Sequence, residues 1–423
     1  MKGIAFLFKK EQYKFLLIAI AIAAIILRLA GILTLGVDGE LEKNAFEYGH
    51  IAANIADGHG HSFDFYGRYP NAPTAWMEPL YSYLLAGYSL LIGRNLLGVA
   101  VIQAIIGGVV CWLIGIIGVA LSGGFVGITA AGLFALYPEA IFHPQKFVPE
   151  HLLLLLMILI VFFGVEYIKT HQRRFAVIAG ILCGIAILTK VSAMSWPVAL
   201  VVWIWLSKKI SRRVIIDSVL IIALAGLVVF PWTFRNYVVM DALIPVRTNF
   251  WFNVWRGNNP YATGTPRYFD KNVIESNMPE EYIKAIRSQL TPDETQREKV
   301  YRQLAKEYIG ENPGQFIKLS IKRLYYFWTR DPTHPLTGSP LYWGPWCLLI
   351  ILAATGIYSV RNRWRDYSFW YFIIVATTIV YCLTLVLPRY RIPLIPGLVL
   401  LAAEGLQAIF KMIFKTDTVG ADG

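Results

Sequence analysis

Charge is scarce in this sequence. Of its 423 residues 16% are charged and 56% are hydrophobic, with mean hydropathy +0.52. A soluble domain carries roughly a quarter charged residues, so a soluble globular chain is excluded. Cysteine is also scarce. The four present, Cys111, Cys183, Cys347 and Cys382, all lie inside apolar runs and none has CxxC spacing. That excludes a disulfide framework and a thiolate metal site. The short alternating strands of a transmembrane barrel are missing as well.

What is present is a series of apolar runs of about 18 residues or more, enough to cross roughly 30 Å of hydrocarbon as helix. They fall at 15–36, 94–121, 125–142, 149–168, 174–190, 191–207, 214–231, 341–360, 367–386 and 392–410. The first is too long for a cleaved signal peptide and has no clear cleavage site, so it is read as a retained anchor. The net charge of +12 does not point to nucleic acid, because the basic residues cluster beside apolar runs, where they orient a membrane protein.

Those clusters test the topology. Lys9, Lys10 and Lys14 precede the first span, so the N-terminus is expected in the cytoplasm. With ten spans, Lys169-Arg173-Arg174, Lys208-Lys209-Arg212-Arg213, Arg361-Arg363-Arg365 and Lys411-Lys415 all fall on the same side, and the C-terminus joins them. A further apolar stretch, 79–92, would reverse all four if it crossed. It is therefore expected to lie in the outer interface, where Tyr81, Tyr83 and Tyr88 suit the headgroup level.

The expected fold is an all-α polytopic membrane protein with about ten transmembrane helices. Residues 1–231 form a module of seven spans with an outer loop at 37–93, and a short outer loop lies around 143–150. Residues 232–340 form a mainly helical outer domain, roughly 110 residues long. Residues 341–423 supply three spans and a cytoplasmic tail. In the outer domain Thr291 followed by Glu294 reads as a capping box opening a helix through Gly310. Pro313 can start another, running to about Arg330. The stretch from Trp251 to Tyr268, with Gly257-Asn258-Asn259-Pro260 and Gly264, reads as turns and loop. No internal repeat is evident.

This topology gathers polar residues from distant parts of the chain at one membrane level. The carboxylates are Glu47 and Glu150, and the cations Lys190, Arg235, Arg389 and Arg391. Tyr48, His50, His151, Asn236 and Tyr390 lie beside them. Each has an ordinary explanation: a cation at a helix end snorkels, and an acid after Pro149 suits a helix N-terminus. Snorkelling cations, however, are expected mostly on the cytoplasmic side. Taken together, cations at headgroup level can hold a phosphate or diphosphate, and a carboxylate beside them can take a proton from an acceptor hydroxyl. That combination fits transfer from a lipid-linked phosphate leaving group.

Five stretches then carry a resemblance to a known family. They are Glu47-Tyr48-Gly49-His50-Ile51-Ala52 running on to Gly58-His59-Gly60; Pro73-Thr74-Ala75-Trp76 with Pro79-Leu80-Tyr81; Pro149-Glu150-His151-Leu152; Pro231-Trp232-Thr233-Phe234-Arg235-Asn236-Tyr237 with Gly257-Asn258-Asn259-Pro260; and Arg389-Tyr390-Arg391-Ile392-Pro393. In this order they resemble the C-type membrane glycosyltransferases, specifically the dolichyl-phosphate-mannose–protein mannosyltransferase-like and aminoarabinose-transferase-like group of glycosyltransferase family 39. The resemblance implies a polyprenyl-phosphate sugar donor, a catalytic acid in the first outer loop (here Glu47) and a second near the start of the fourth span (here Glu150). Related enzymes more often carry Asp a few residues before the Tyr. Asn44 stands there in this chain, with Asp38, Glu40 and Glu42 nearby.

On that resemblance, a sugar would pass with inversion to an envelope glycolipid, polysaccharide or protein on the extracytoplasmic face. The partners would be the donor, the acceptor and membrane lipids, with no nucleic acid. No cofactor is certain from the sequence, and a divalent cation is left open. Two rivals are a polymerase or ligase with a diphosphate-linked donor, and a transporter or flippase. Transporters place ionisable groups near the midplane, where this chain has few, Arg28 and Glu404 being the clearest, with Asp217 and Glu166 nearer the cytoplasmic ends.

Overall fold

The structure, a computed structural model, describes residues 10–37, 41, 45–63, 71–265, 278–331 and 337–416. Asp38, Glu40, Glu42, Asn44, Lys9 and the end of the Trp251–Tyr268 stretch lie outside the described residues.

The described residues form helices, with one isolated bridge between Ser62 and Pro73. In chain order they are α1 (Lys10–Leu35), α2 (Phe46–Ala56), α3 (Pro79–Ile92), α4 (Leu96–Ser122), α5 (Gly124–Leu136), α6 (Pro138–Phe142) and α7 (Glu150–Thr170). Next come α8 (Arg173–Thr189), α9 (Trp196–Ser207), α10 (Arg212–Met240), α11 (Phe250–Gly257), α12 (Glu280–Arg287) and α13 (Glu294–Glu311). The chain ends with α14 (Pro313–Trp328), α15 (Pro340–Ser359), α16 (Ser368–Leu383) and α17 (Ile395–Thr416).

Among the described residues 7 helices are long and apolar enough to cross a membrane, or up to 8 if α5 and α6, bent by 57°, count as one broken span. The ten crossings expected from the sequence require α8 and the Val191–Ser207 segment as well. Both are shorter than 18 residues, because the chain leaves the helix at Lys190 between them. The helix α3 has the bounds expected for it. Its 14 residues span about 21 Å, too little to cross.

Small residues bring the spans together. A Cβ on Gly356 of α15 would lie 1.8 Å from the Leu401 carbonyl of α17, and one on Gly405 would lie 2.4 Å from that of Leu352. Without a hydrophobic drive inside lipid, such backbone approach supplies the packing attraction. The segment Pro388–Phe414 is the most enclosed, with 78% of its apolar window buried. It forms the axis against which α5 and α15 lie.

The 232–340 segment differs from its expectation in two places. Asp293, not Thr291, caps α13, accepting from the amides of Thr295 and Gln296 at 2.8 and 3.3 Å. Glu294 is thereby freed for tertiary contacts. The aromatic stretch at 250–257 is helical, because one face of α11 buries Val254 and Trp255 against Tyr301 of α13. The turn begins only at Asn258.

Candidate functional site

Helix breaks build the site. α8 stops at Thr189, and Lys190 is extended (φ −158°, ψ 125°). The next amide, Val191 N, therefore has no helical carbonyl to donate to. It donates instead to Oε1 of Glu78 at 2.8 Å. Glu78 precedes Pro79 and is held extended (φ −62°, ψ 141°), as a residue before proline tends to be. Its side chain makes no cap bond to α3 because it is committed elsewhere. Tyr48 donates to its Oε2 at 2.7 Å, and Nη1 of Arg247 reaches both oxygens at 3.0 and 3.1 Å.

Burial alone would push the Glu78 carboxyl up. Arg247, the Val191 amide and the Tyr48 hydroxyl outweigh it and hold Glu78 below the usual carboxylate range. Arg247 is in turn raised, since Glu78 more than offsets its burial. Burial and then Glu78 push the Tyr48 phenol well up, so it remains a donor.

Beside this pair lies a second. Glu150 opens α7 and is buried, with its Oε1 2.5 Å from Nζ of Lys190. Its Oε2 is buried without a hydrogen-bond partner. The Lys190 ammonium also lies 5.3 Å from the Tyr390 ring, which stacks on Tyr381 at 4.1 Å. Arg389 enters from the turn Pro388–Leu394 that precedes α17. Glu150, Tyr390, Tyr48 and Glu47 all act on its charge. Its guanidinium makes no hydrogen bond or salt bridge among the described residues, and its Nε is buried and unpartnered. Glu47 stands half-buried in the first turn of α2.

The structure thus brings Glu47, Tyr48, Glu150, Lys190, Arg389 and Tyr390 together, and adds Glu78 and Arg247, which sequence reasoning missed. The other candidates lie elsewhere. Arg391 turns to the opposite side of the same turn, donating to the Tyr326 carbonyl at 2.5 Å and lying over Trp346. His151 faces His143, with Nε2 to Nδ1 at 2.6 Å. His50 is exposed on α2, its ring 5.9 Å from that of Phe63.

Arg235 and Asn236 act one layer away, as a scaffold. Arg235 donates to the carbonyls of Thr74 (2.8 Å) and His61 (3.0 Å), and Asn236 to that of Ile244 (3.0 Å). Trp232 donates to the Val246 carbonyl at 2.7 Å. Together they seat the loop carrying Arg247. Burial, then Arg235, pushes the His61 imidazole down to about 3. It is neutral, and its Nδ1–H donates to the Thr74 carbonyl at 3.1 Å.

The segment before Glu78 is clamped from the start of α13. The buried carboxylate of Glu294 accepts from Thr74 Oγ1 at 2.6 Å, from the Ala75 amide at 3.1 Å and from Thr248 Oγ1. Among the described residues no three or more His, Cys, Asp or Glu side chains are grouped to hold a metal ion. The site's two buried carboxylates are already paired with Lys190 and Arg247. Among the described residues this donor set does not fit a divalent cation.

Two of the ionisable groups inside the bundle, Glu404 and Asp217, have ion-pair partners. Glu404 accepts from Arg363 at 2.6 Å and from Tyr367 at 2.5 Å. Asp217 accepts from Arg173 at 2.6 Å and from Tyr167 at 2.9 Å.

Residues 72–234 match the family model described as dolichyl-phosphate-mannose-protein mannosyltransferase. No curated protein matches the chain. Solved structures match it in fold. The archaeal oligosaccharyltransferase AglB from Archaeoglobus fulgidus, in complex with an inhibitory peptide and a dolichol-phosphate, superposes with TM-score 0.60 at 15% identity over 98% of this chain and 52% of that one. ArnT from Cupriavidus metallidurans, bound to undecaprenyl phosphate, superposes with TM-score 0.59 at 15% identity over 98% of this chain and 64% of that one. The chain thus spans about half the length of the oligosaccharyltransferase. It is a multi-pass membrane protein with the fold of the C-type membrane glycosyltransferases, similar over residues 72–234 to the dolichyl-phosphate-mannose-protein mannosyltransferases.

Proposed function

We propose that this protein transfers a sugar from a polyprenyl-phosphate donor to a hydroxyl acceptor at the outer face of the membrane. One observation carries the reading: Arg389 is half-buried beside Glu150, Tyr390 and Tyr48 yet makes no hydrogen bond or ion pair among the described residues. A guanidinium out of water is costly unless an anion joins it. A lipid phosphate at this level supplies that anion, and the bound polyprenyl phosphates of the two structural neighbours agree with it.

The reaction then follows from the residues. The acceptor oxygen attacks the anomeric carbon from the face opposite the phosphate, and the bond from that carbon to the phosphate oxygen breaks with inversion. The electron pair leaves on the phosphate, where Arg389 and Lys190 balance the growing charge. Glu47 takes the acceptor proton. Glu150, with Oε2 free, accepts a hydrogen bond from the acceptor and orients it. The outer domain covers the site and selects the acceptor, whether glycolipid, polysaccharide or protein. Ten crossings, both termini in the cytoplasm and the site outside complete the reading.

The test uses purified protein in liposomes with a panel of labelled polyprenyl-phosphate sugars. Release or transfer of sugar from one donor, lost in Arg389→Gln and in Glu47→Gln, is the expected result. Full transfer by Glu47→Gln would remove Glu47 as the base. Binding of polyprenyl phosphate unaltered in Arg389→Gln would remove the donor site.

A further inference from the structure

The end of the bundle opposite Glu150 carries a second basic centre. α7 runs from Glu150 to Thr170, so α8, starting at Arg173, begins at that far end. α10 lies parallel against α8: Gly180 faces Ile221, and Gly184 faces Ala225 and Val228. Their N-termini therefore sit side by side, and each opens on two arginines, Arg173-Arg174 and Arg212-Arg213. Helix N-termini carry partial positive charge, so guanidinium groups there are unfavourable within the protein.

One acid answers them. The buried Asp217 pairs with Nε of Arg173 at 2.6 Å and, more weakly, with Arg213 at 3.9 Å. Arg213 also donates to the His171 carbonyl at 2.8 Å, and Arg174 lies over the Phe175 ring at 4.7 Å. Arg212 has no hydrogen-bond or ion-pair partner among the described residues. Arg173, Arg212 and Arg213, with Ile216, line an open recess of about 540 Å³. Charge that served orientation alone would need no convergence, and the nearby Lys208 and Lys209 supply such charge without lining the recess.

We propose that this recess binds a phosphate-bearing anion, which a membrane offers as the headgroup of an acidic phospholipid. Guanidinium groups match phosphate oxygens as paired donors, and two helix N-termini add to the same field. Three guanidinium groups line the recess and its one carboxylate pairs with two of them, Arg173 and Arg213, leaving an excess of positive charge for the ligand. The recess is separate from the Arg389 site and does not depend on the activity proposed for it.

The test is thermal unfolding of the purified full-length protein in detergent, titrated with dioctanoyl phosphatidylglycerol, dioctanoyl phosphatidylcholine or inorganic phosphate. Saturable stabilisation by phosphatidylglycerol, absent with phosphatidylcholine, is expected. Arg212→Gln, which breaks no bond within the protein, should weaken the apparent affinity about fivefold. The double variant Lys208→Gln/Lys209→Gln should change it by less than about twofold. Inorganic phosphate competing with the lipid would support the site with free phosphate as a second source; stabilisation by phosphatidylglycerol alone would support it with a lipid headgroup. Equal effects of the two lipids, or an Arg212→Gln protein responding like the wild type, would overturn it.

Discussion

Glu78 and Arg247 form a buried ion pair across 169 positions of sequence, with Nη1 of Arg247 3.0 and 3.1 Å from the two carboxylate oxygens. The pair ties the loop after α10 to the start of α3. Through the Val191 amide and the Tyr48 hydroxyl it also fixes the break that presents Lys190 and the helix that carries Glu47.

Removing one partner should therefore cost more than removing both. Arg247→Met leaves Glu78 buried and unpaired, and about 3–5 kcal/mol of stability should be lost. The double variant Glu78→Leu/Arg247→Met should recover much of that loss without recovering transfer. Thermal unfolding in detergent, together with donor turnover, reads both. A double variant no more stable than Arg247→Met would contradict this account of the pair.

Arg389 predicts the reverse pattern. Since it makes no hydrogen bond or ion pair among the described residues, Arg389→Gln should disturb unfolding far less than Arg247→Met does. Turnover should fall about 100-fold or more if Arg389 balances charge developing on the leaving phosphate. Added polyprenyl phosphate should stabilise the wild type and not the variant. A large loss of fold stability in Arg389→Gln would mean that the residue is structural.

Much of the frame was legible from hydropathy and charge: the apolar spans, the short helix at 79–92, and an acid at the mouth of α7 after Pro149. These signals are local. Glu78 and Arg247 escaped because each is an unremarked polar residue, the one next to Pro79 and the other two positions after Pro245, and their meaning lies in a contact across the chain. The capping-box pattern at Thr291 and Glu294 failed for a related reason. Asp293 satisfies the helix end, and Glu294 is drawn away by Thr74 and Thr248. Lys190 and Arg389 were legible as cations at the ends of apolar runs, but Arg235 and Arg391 look equivalent in sequence, and only the folded contacts separate them, since backbone carbonyls take up Arg235 and Arg391.

The Glu294 clamp should be visible as local opening. Glu294→Ala strands the hydroxyls of Thr74 and Thr248 and the Ala75 amide, at a cost of about 2–4 kcal/mol. Hydrogen exchange should rise first at 74–77, ahead of the transmembrane helices, and turnover should fall because Glu78 follows that segment. Unchanged exchange there would mean that the start of α13 does not hold the loop.

Gly257 marks where α11 meets the end of α16. A Cβ there would lie 1.7 Å from the Thr384 carbonyl and 3.1 Å from Nη1 of Arg323. Arg323 is itself buried and donates to the Gly257 and Cys382 carbonyls, each at 2.5 Å. Gly257→Ala must push these backbones apart, and a loss of about 2 kcal/mol or more is expected. Ala at Gly310, where a Cβ meets nothing within 4 Å, should be tolerated. A Gly257→Ala protein as stable as Gly310→Ala would contradict the close approach.

Glu298 gives the contact between α11 and α13 a pH dependence whose sign is fixed. Its Oε2 accepts from the Trp251 amide at 2.9 Å at the start of α11, and its Oε1 is buried without a hydrogen-bond partner. Burial first, and then the charge of Glu294, push its carboxyl up to about 7, against the opposing pull of the Trp251 and Phe252 amides. An unfolded glutamate releases its proton near pH 4.5. Between that pH and about 7 the folded protein holds a proton that the unfolded chain has lost, so stability falls as pH rises. The contribution is complete below about pH 4.5, shrinks up to about 7 and is flat above it. Glu298→Gln keeps an acceptor for Trp251 but cannot ionise. The wild-type melting temperature minus that of the variant should therefore decline across this window and level off beyond it. Parallel curves would mean that Glu298 ionises normally. Because Arg247 lies close enough to act on Glu298, the same titration should be felt at the loop that holds Glu78.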